Sequence, residues 1–267
     1  MARPLLPDEL RERIEPLLPP PKPRRSRFPG RKPLDNREAL TGILFVLKTG
    51  LPWEDLPQEM GCGSGMTCWR RLRDWQAAGV WPKLHALLLA ELNAAAKSDW
   101  SRAVIDGSFA RALGGGDRTG PSPVDRRKKG SKHHVLTDGR GAPLAAATTA
   151  ANVNEVPQRR RLVEAIPPGR GKPGRPRRRP DRLDGDGGYD SEAERRWLRR
   201  RGIEPFLGKH RRAHGSGLGK YRWVVERTLA WLHGKRKLRI RTEWRGDIHD
   251  ALLSLACSLI CFSFLEL

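Results

Sequence analysis

The chain has 267 residues, which is enough for one or two domains with a sizeable hydrophobic core. It carries 52 Lys and Arg against 30 Asp and Glu, giving a net charge of +22 and a pI near 11.0. This excess argues against an ordinary metabolic enzyme and indicates a polyanionic partner, most simply nucleic acid. The four cysteines have spacings that fit neither a disulfide scaffold nor a zinc site.

Helical periodicity dominates the first 98 residues. Apolar residues recur three and four positions apart, and Ser, Thr, Asp and Asn stand where helix N-caps are expected. The pattern predicts an all-α domain. Its helices are expected over residues 8–18, from residue 35 through 47, from residue 64 or 67 to 79, and over residues 81–96.

The third of these helices is short and basic. Its inner face is apolar, which leaves Arg70, Arg71 and Arg73 on the outside. A helix, a Gly-containing turn and a basic helix are typical of helix-turn-helix DNA-binding units, so these arginines are candidate DNA contacts. An ordinary helical hairpin with a solvated basic face is the alternative.

The pattern changes after residue 99. Apolar runs bounded by turn residues predict strands at 102–106, 133–136, 142–149, 182–186 and 203–207, with helices over 153–166, 191–201 and 221–233. This order predicts a mixed α/β layer fold. The apolar run in the last helix, 247–265, has about 15 residues where a membrane span needs roughly 20, so we expect a buried helix. Without a signal peptide, we expect a soluble cytoplasmic protein with no membrane partner, associated with the nucleoid.

Three acidic residues stand out in the second half of the chain. Asp106 ends a buried strand, Asp186 ends a later one, and Glu226 lies in an amphipathic helix among basic residues. Sites in α/β proteins form at strand ends, and converging carboxylates suit hard cations such as Mg²⁺. Two such ions support in-line phosphoryl displacement, so the three acids indicate metal-dependent chemistry on a DNA backbone.

Each acid also has a simpler interpretation. A strand-end Asp commonly forms a turn or caps a helix, and a Glu among arginines commonly forms a surface ion pair. Asp184 points the same way as Asp186 in a regular strand, and Asp190 is placed to cap the next helix. Spacing alone therefore leaves the choice among these three aspartates open.

Positive charge is concentrated around these acids. Residues 195–245 hold 17 basic and 3 acidic side chains, and residues 167–180 hold six basic side chains and no acid. This distribution predicts salt-sensitive DNA binding, in which each phosphate contact adds about −0.9 to the log–log slope on duplex DNA.

The chain resembles bacterial insertion-sequence DDE transposases of the insertion-sequence family five type. The resemblance implies an N-terminal all-α, helix-turn-helix-like domain over 1–98 and an RNase H-like α/β catalytic domain with a mixed sheet over 99–267. The catalytic domain would include a basic Pro/Arg loop at 167–180 and a C-terminal helix at 247–265. The segments that carry the resemblance are LPDELRERIEPLLPP, LTGILFVLKTGLPWEDLPQEMG, TCWRRLRDWQAAGVWPKLH, VIDGSFARA, GSKHHVLTDGRGAPLAAATTAANVNEV, DGDGGYDS and RWVVERTLAWL.

The family pattern implies the choice of catalytic residues. Its first Asp matches Asp106, and its second, two residues before a Gly-Tyr pair, matches Asp186 rather than Asp184. Its Glu lies four residues after an Arg, as Glu226 follows Arg222. The three acids are thus the implied ligands of two Mg²⁺ ions, with Mn²⁺ as a substitute.

Two positions depart from the family pattern. Gly219 stands where the family has a Tyr, and His233 stands where it has a Lys. His233 shares the helix face of Glu226, and either a DNA contact or a structural role is expected of it. Lys237 returns to that face if the helix continues through Gly234. Lys132, Arg222 and Lys237 complete the implied DNA contacts.

The resemblance implies a DNA transposase. Such an enzyme binds the terminal inverted repeats of its element, hydrolyses a phosphodiester at each end and joins the 3′-OH to target DNA. Two ends must be cut together, so a homodimer on double-stranded DNA is expected. One alternative is a catalytically inactive or domesticated relative that binds DNA as a regulator. The other is a non-transposing nuclease with the same core.

Overall fold

The N-terminal region is helical in the computed structural model, which describes residues 4–21, 23, 26–28, 30, 32–187, 191–208 and 219–267. The helical prediction for this region is confirmed, with boundaries shifted by a few residues. The helices are α1 (Asp8–Ile14), α2 (Asn36–Thr49), α3 (Gly65–Ala77) and α4 (Val80–Ala94), with short 3-10 turns at Glu15–Leu17, Trp53–Asp55 and Gln58–Met60.

The connection between α2 and α3 is tightly packed. α2 ends at Gly50, whose φ of 77° lies in the left-handed region that favours glycine. Ser64 caps α3 by accepting a hydrogen bond from the Thr67 N–H at 3.2 Å. A Cβ on Gly65 would lie 1.6 Å from the carbonyl oxygen of Trp53, so α3 begins directly against the backbone of the preceding turn.

The rest of the chain is built on one mixed sheet. Its strands are β1 (Ala103–Ala112), β2 (Gly120–Pro121), β3 (Lys129–Asp138), β4 (Pro143–Ala150), β5 (Arg182–Gly185), β6 (Glu204–Leu207) and β7 (Ile240–Arg241). The main strand order is β4-β3-β1-β5-β6, and β2 and β7 pair with the ends of β3 and β1. β5 and β6 run parallel to β1, whereas β3 is antiparallel to both β1 and β4. This is the RNase H-like arrangement that the resemblance implies.

Helices cover this sheet and connect it to the N-terminal region. They are α5 (Val156–Glu164), α6 (Glu192–Arg200), α7 (Gly219–Gly234), α8 (Arg236–Arg239) and α9 (Gly246–Glu266). α7 packs on β1 and β3, and α9 packs on β4 and on α3 and α4 of the N-terminal region. The predicted mixed α/β fold is therefore confirmed.

The central strand β1 is longer than its sequence pattern predicts. The prediction ended this strand at Asp106, but it continues to Ala112 because residues 106–111 pair with residues 130–135 of β3. The Gly107-Ser108 pair is typical of a turn, yet pairing across the sheet overrides that local preference. Asp106 thus lies within a strand, and its predicted place at a strand end is wrong.

The sequence left open whether the helix that carries Glu226 continues through Gly234. α7 stops at Gly234, and Lys235 is extended, with φ −81° and ψ 98°, before α8 begins at Arg236. Lys237 therefore does not continue the face of Glu226. The condition under which Lys237 would reach that face is therefore not met, and glycine's low helix propensity is consistent with an end at Gly234.

One hydrophobic core runs from the N-terminal helices to the sheet. It joins Leu47 of α2, Trp75 of α3, Leu88 of α4, Leu253 of α9 and Ile105 of β1. α9 is long and apolar enough by composition to cross a membrane, but 67% of its apolar window is buried inside the protein, as a core helix requires. The boundary at residue 98 is not marked by a break in this core, and the division into two domains stays a prediction.

A buried polar contact connects the end of the sheet to the N-terminal region. The Lys237 ammonium donates to the Leu51 carbonyl at 3.1 Å and lies 3.3 Å from the Glu243 carboxylate. The same carboxylate accepts a hydrogen bond from the Trp53 indole at 2.9 Å. Lys237 is only 2% exposed, so it serves this junction and is not available to a DNA phosphate.

Two histidines form a buried pair between the sheet and α9. His133 of β3 and His249 of α9 are both fully buried, and their Nε2 atoms lie 2.7 Å apart. This hydrogen bond needs one donor and one acceptor, so at least one ring must be neutral. Burial, with the positive charge of neighbours such as Arg241, lowers the pKa of His133 to about 3 and that of His249 well below its ordinary value.

We predict that acid destabilises the protein through this pair. Below about pH 6.5 the histidines of the unfolded chain gain protons while the folded pair does not, so the free energy of unfolding falls as the pH drops. Each histidine contributes a slope of about 1.4 kcal/mol per pH unit until its folded pKa is reached. Urea unfolding followed by tryptophan fluorescence between pH 7 and pH 5 measures this slope.

The matched variant is His249→Gln, which removes one titrating ring and keeps a polar side chain. Its stability should depend less steeply on pH, by about one proton in this window. An unchanged slope would contradict the assignment of acid sensitivity to the buried pair.

Candidate active site

Asp106 lies on the face of the sheet that α7 covers. Val104, two residues earlier on β1, packs against Val224 and Val225 of α7, and alternate residues of a strand share a face. One Asp106 oxygen accepts a hydrogen bond from the Gly107 N–H at 2.8 Å. The side chain is 14% exposed, and this burial raises its pKa despite the opposing effect of a nearby arginine.

Asp186 is the neighbour of Asp106 across the sheet. β1 and β5 are parallel, with Ile105 paired to Gly185, and each aspartate is the next residue along its strand direction. The charge of Asp186 contributes to the raised pKa of Asp106, which is consistent with this proximity. The register therefore brings two carboxylates from distant parts of the sequence side by side.

Asp184, the competing candidate, has a different environment. It is fully buried and accepts two hydrogen bonds from Arg182, at 2.6 and 2.9 Å. The Arg182 guanidinium also lies over the rings of Phe206 and Tyr221. Asp184 is thus engaged in a buried ion pair, which supports Asp186 as the exposed site residue. Asp190 lies outside the described residues.

Arg222 connects the aspartates to α7. Its terminal nitrogen lies 3.0 Å from an Asp106 oxygen and 4.0 Å from an Asp186 oxygen. Glu226 follows one helical turn later with an exposed side chain. Burial lowers the pKa of Arg222, but the attraction of Asp106, Asp186 and Glu226 outweighs it and raises that pKa.

Asp106 and Asp186 thus share one cation, which is a guanidinium of the same chain. Their oxygens are hard ligands of the kind that Mg²⁺ prefers, so the donor set fits a divalent metal. Within the described part of the chain, however, no three His, Cys, Asp or Glu side chains stand together as a ready metal site. Asp106 and Asp186 are brought together, while Glu226 remains apart in solvent.

The predicted arginines of α3 differ in their availability. Arg70 is exposed, whereas Arg71 donates a hydrogen bond to the Leu34 carbonyl at 3.0 Å. Arg73 pairs with Asp74 at 2.7 Å. The helix therefore presents Arg70 openly, while Arg71 helps to hold α3 in place.

The other predicted DNA contacts are held by protein partners. Lys132 pairs with Glu155 at 2.6 Å. His233 Nε2 lies 3.0 Å from the Ser108 hydroxyl, and burial, followed by the charge of Arg239, lowers the pKa of His233. A neutral, hydrogen-bonded ring favours the structural alternative for His233.

The contact between Ser108 and His233 was missed by the sequence reasoning. Ser108 lies two residues after Asp106, on the same face of β1. The hydrogen bond therefore attaches the last turn of α7 to the strand that carries Asp106. The only sequence signal for it was the placement of His233 on the helix face of Glu226.

We predict that Asp184 and Asp186 differ sharply in their effect on stability. Asp184→Ala leaves Arg182 without its buried partner and should lower the free energy of unfolding by about 3 kcal/mol. Asp186→Ala should change it by no more than about 0.5 kcal/mol, because this carboxylate is 37% exposed. Urea unfolding in metal-free buffer makes the comparison, and equal losses would contradict the distinction.

Two family models match most of the chain. Residues 6–85 match a model described as a putative transposase of the IS4/5 family, and residues 98–261 match one described as a transposase DDE domain. The second match alone covers more than half of the chain, and it contains all three acids.

Curated relatives from Burkholderia cepacia are also similar. The putative transposase for insertion sequence element IS402 is 60% identical over 152 residues, which cover 57% of this chain and 72% of that protein. The insertion element IS402 uncharacterized 16.2 kDa protein is 68% identical over 123 residues, which cover 46% of this chain and 84% of that protein.

Solved structures give a weaker likeness. The Mos1 strand transfer complex and the Mos1 transposase paired-end complex with left transposon end are both 13% identical, with TM-scores of 0.26 and 0.28. Each alignment covers 86% of this chain and 81% or 82% of the other chain. The RNase H-like fold is identified from the strand order of the sheet. By its family matches, the chain belongs to the DDE transposases of the IS4/5 family.

Proposed function

We propose that this chain binds the terminal inverted repeats of its own insertion element, cleaves the element ends and joins the resulting 3′-OH to target DNA. The observation that carries the proposal is the parallel register of β1 and β5, which sets Asp106 and Asp186 side by side beneath the helix of Glu226. The family supports the reaction class, and this geometry supports the choice of residues.

Asp106, Asp186 and Glu226 are the residues that would hold two Mg²⁺ ions, or Mn²⁺ in their place. When bound, such ions activate an attacking oxygen and stabilise the leaving oxygen of a phosphodiester. The chain itself orients the two aspartates through the sheet, and α7 carries Glu226 one helical turn after Arg222. No covalent intermediate with a Ser or Tyr of the protein is required.

Arg222 is the basic residue best placed to meet the phosphodiester beside the acids. Its guanidinium is planar and always charged, which suits paired hydrogen bonds to phosphate. His233 holds Ser108 on β1 and thereby positions α7, rather than contributing positive charge. Lys132 and Lys237 are engaged by protein groups and are left out of the proposed DNA contacts.

End recognition is proposed for the N-terminal helices. α3 follows the packed turn after α2, and its exposed Arg70 faces away from the core. The overall charge of +22 supplies non-specific attraction to duplex DNA. Because two ends must be cut together, the active form on DNA is proposed to be a homodimer, in the cytoplasm at the nucleoid.

We predict that Asp106→Asn keeps end binding and loses cleavage. The neutral amide preserves the shape of the side chain but removes a metal ligand, so cleavage in Mg²⁺ should fall by about 1,000-fold or more. A gel-shift assay on a terminal-repeat duplex measures binding, and end cleavage on the same duplex measures activity.

The matched control is Asp125→Asn, which neutralises an acid outside the proposed site that pairs with Lys128. It should cleave as the unmodified chain does. If Asp106→Asn still cleaves, the catalytic assignment fails. If the unmodified chain binds the end but never cleaves it, the inactive DNA-binding relative is the correct function. Cleavage without joining to target DNA identifies the non-transposing nuclease.

We also predict that Arg70 contacts a phosphate of the terminal repeat. Arg70→Ala should weaken end binding and reduce the slope of log affinity against log salt by about 0.9. Arg11→Ala is the control, because Arg11 on α1 is occupied by Asp8 and Glu15. Fluorescence anisotropy at several salt concentrations measures both slopes, and an unchanged slope for Arg70→Ala would remove this residue from the interface.

A further inference from the structure

We propose that Arg222 occupies the acidic site as a counter-cation in the absence of DNA, so that divalent metal loads only when a DNA phosphate draws this guanidinium away. The inference rests on the proposed function and adds a binding order to it: DNA first, metal second. Arg222 thus becomes a positioning residue that decides when Asp106 and Asp186 are free to act as ligands.

The first observation is where the guanidinium lies. One Arg222 nitrogen is 3.0 Å from an Asp106 oxygen and 4.0 Å from an Asp186 oxygen. A metal ion bound by these two carboxylates would need the same oxygens. At these distances the guanidinium neutralises both acids from the position where they converge, so a metal ion must displace it or bind beside it against its charge.

The second observation is an unused donor on the same side chain. The Arg222 Nε is buried and has no hydrogen-bond acceptor among the described residues. A buried N–H without a partner destabilises the state in which it is left unpaired. The terminal nitrogen donates to Asp106, while Nε has no acceptor among the residues that the structure describes.

A phosphodiester would supply the missing acceptor. Two adjacent N–H groups of a guanidinium match two phosphate oxygens, and such bidentate pairs are among the stronger hydrogen bonds in proteins. Arg222 would gain a partner for Nε by turning to the phosphate, and Asp106 would lose its counter-cation at the same moment. The released carboxylates then favour a divalent cation.

Arg182 gives an internal comparison for this behaviour. It also pairs with an aspartate, but it donates two hydrogen bonds to the fully buried Asp184 and lies over two aromatic rings. These hydrogen bonds and ring contacts hold the Arg182 side chain in one position. Arg222 has one close contact, one longer contact and one idle donor, which is the pattern of a residue able to exchange partners.

The experiment is a titration of Mn²⁺ into the full chain, with free Mn²⁺ measured by electron paramagnetic resonance. The unmodified chain should bind Mn²⁺ weakly alone and at least about tenfold more tightly with a terminal-repeat duplex present, after subtraction of binding to the duplex itself. Arg222→Gln should bind Mn²⁺ about tenfold more tightly than the unmodified chain without DNA. Its further gain on adding the duplex should be small.

Arg222→Gln leaves the two acids without a cation, which destabilises the fold. Arg222→Lys is therefore tested as a second variant. The ammonium retains the charge but does not span both carboxylates, so its Mn²⁺ affinity without DNA should lie between those of the other two proteins. Thermal unfolding identifies which variants are folded. If every folded Arg222 variant binds Mn²⁺ no more tightly than the unmodified chain, the counter-cation proposal is overturned.

Asp106→Asn separates this failure from a failure of the proposed function. If it loses Mn²⁺ binding in the presence of DNA while the Arg222 variants bind as the unmodified chain does, the metal site stands and only the counter-cation role falls. If Asp106→Asn binds Mn²⁺ as the unmodified chain does, with and without DNA, the proposed metal site itself is wrong.

Discussion

The packing of α7 on β1 is the constraint on which the candidate site depends. Val104 meets Val224 and Val225 across this contact, which fixes the height and rotation of the helix relative to the strand. Arg222 precedes these valines, and its guanidinium reaches Asp106 as a result. At the far end of α7, the bond between His233 and Ser108 holds the helix to the same strand. The packing of these buried valines therefore sets the distance between the Arg222 guanidinium and the Asp106 carboxylate.

The sequence predicted the order of the elements and the fold class because periodicity and caps are local signals. It ended β1 too early because Gly107 and Ser108 suit a turn, and the pairing that keeps them extended comes from β3, more than 20 residues away. It also assigned Lys237 to DNA. Its true partners, Leu51 and Glu243, became visible only when the N-terminal region was folded onto the sheet.

The candidate residues could be chosen from the sequence, but the contacts that they make could not be predicted from it. A resemblance selected Asp186 over Asp184, and the structure is consistent with that choice, because Asp184 is paired with Arg182 in the interior. Spacing along the chain gives no information on which of two neighbouring carboxylates meets an arginine. Nor does it indicate that Arg222 would lie against Asp106 and Asp186, since that contact depends on the sheet register and on α7 together.

The shared core around α9 has a consequence for where DNA would be cut. α9 packs on α3 and α4 on one side and on β4 on the other, and Lys237 bridges the same two regions. If α3 recognises the element end and the three acids cleave it, as proposed, this packing keeps the two a constant distance apart. Protein packing would then set the length of DNA between the recognised sequence and the cleaved bond. This length would not vary with the flanking bases.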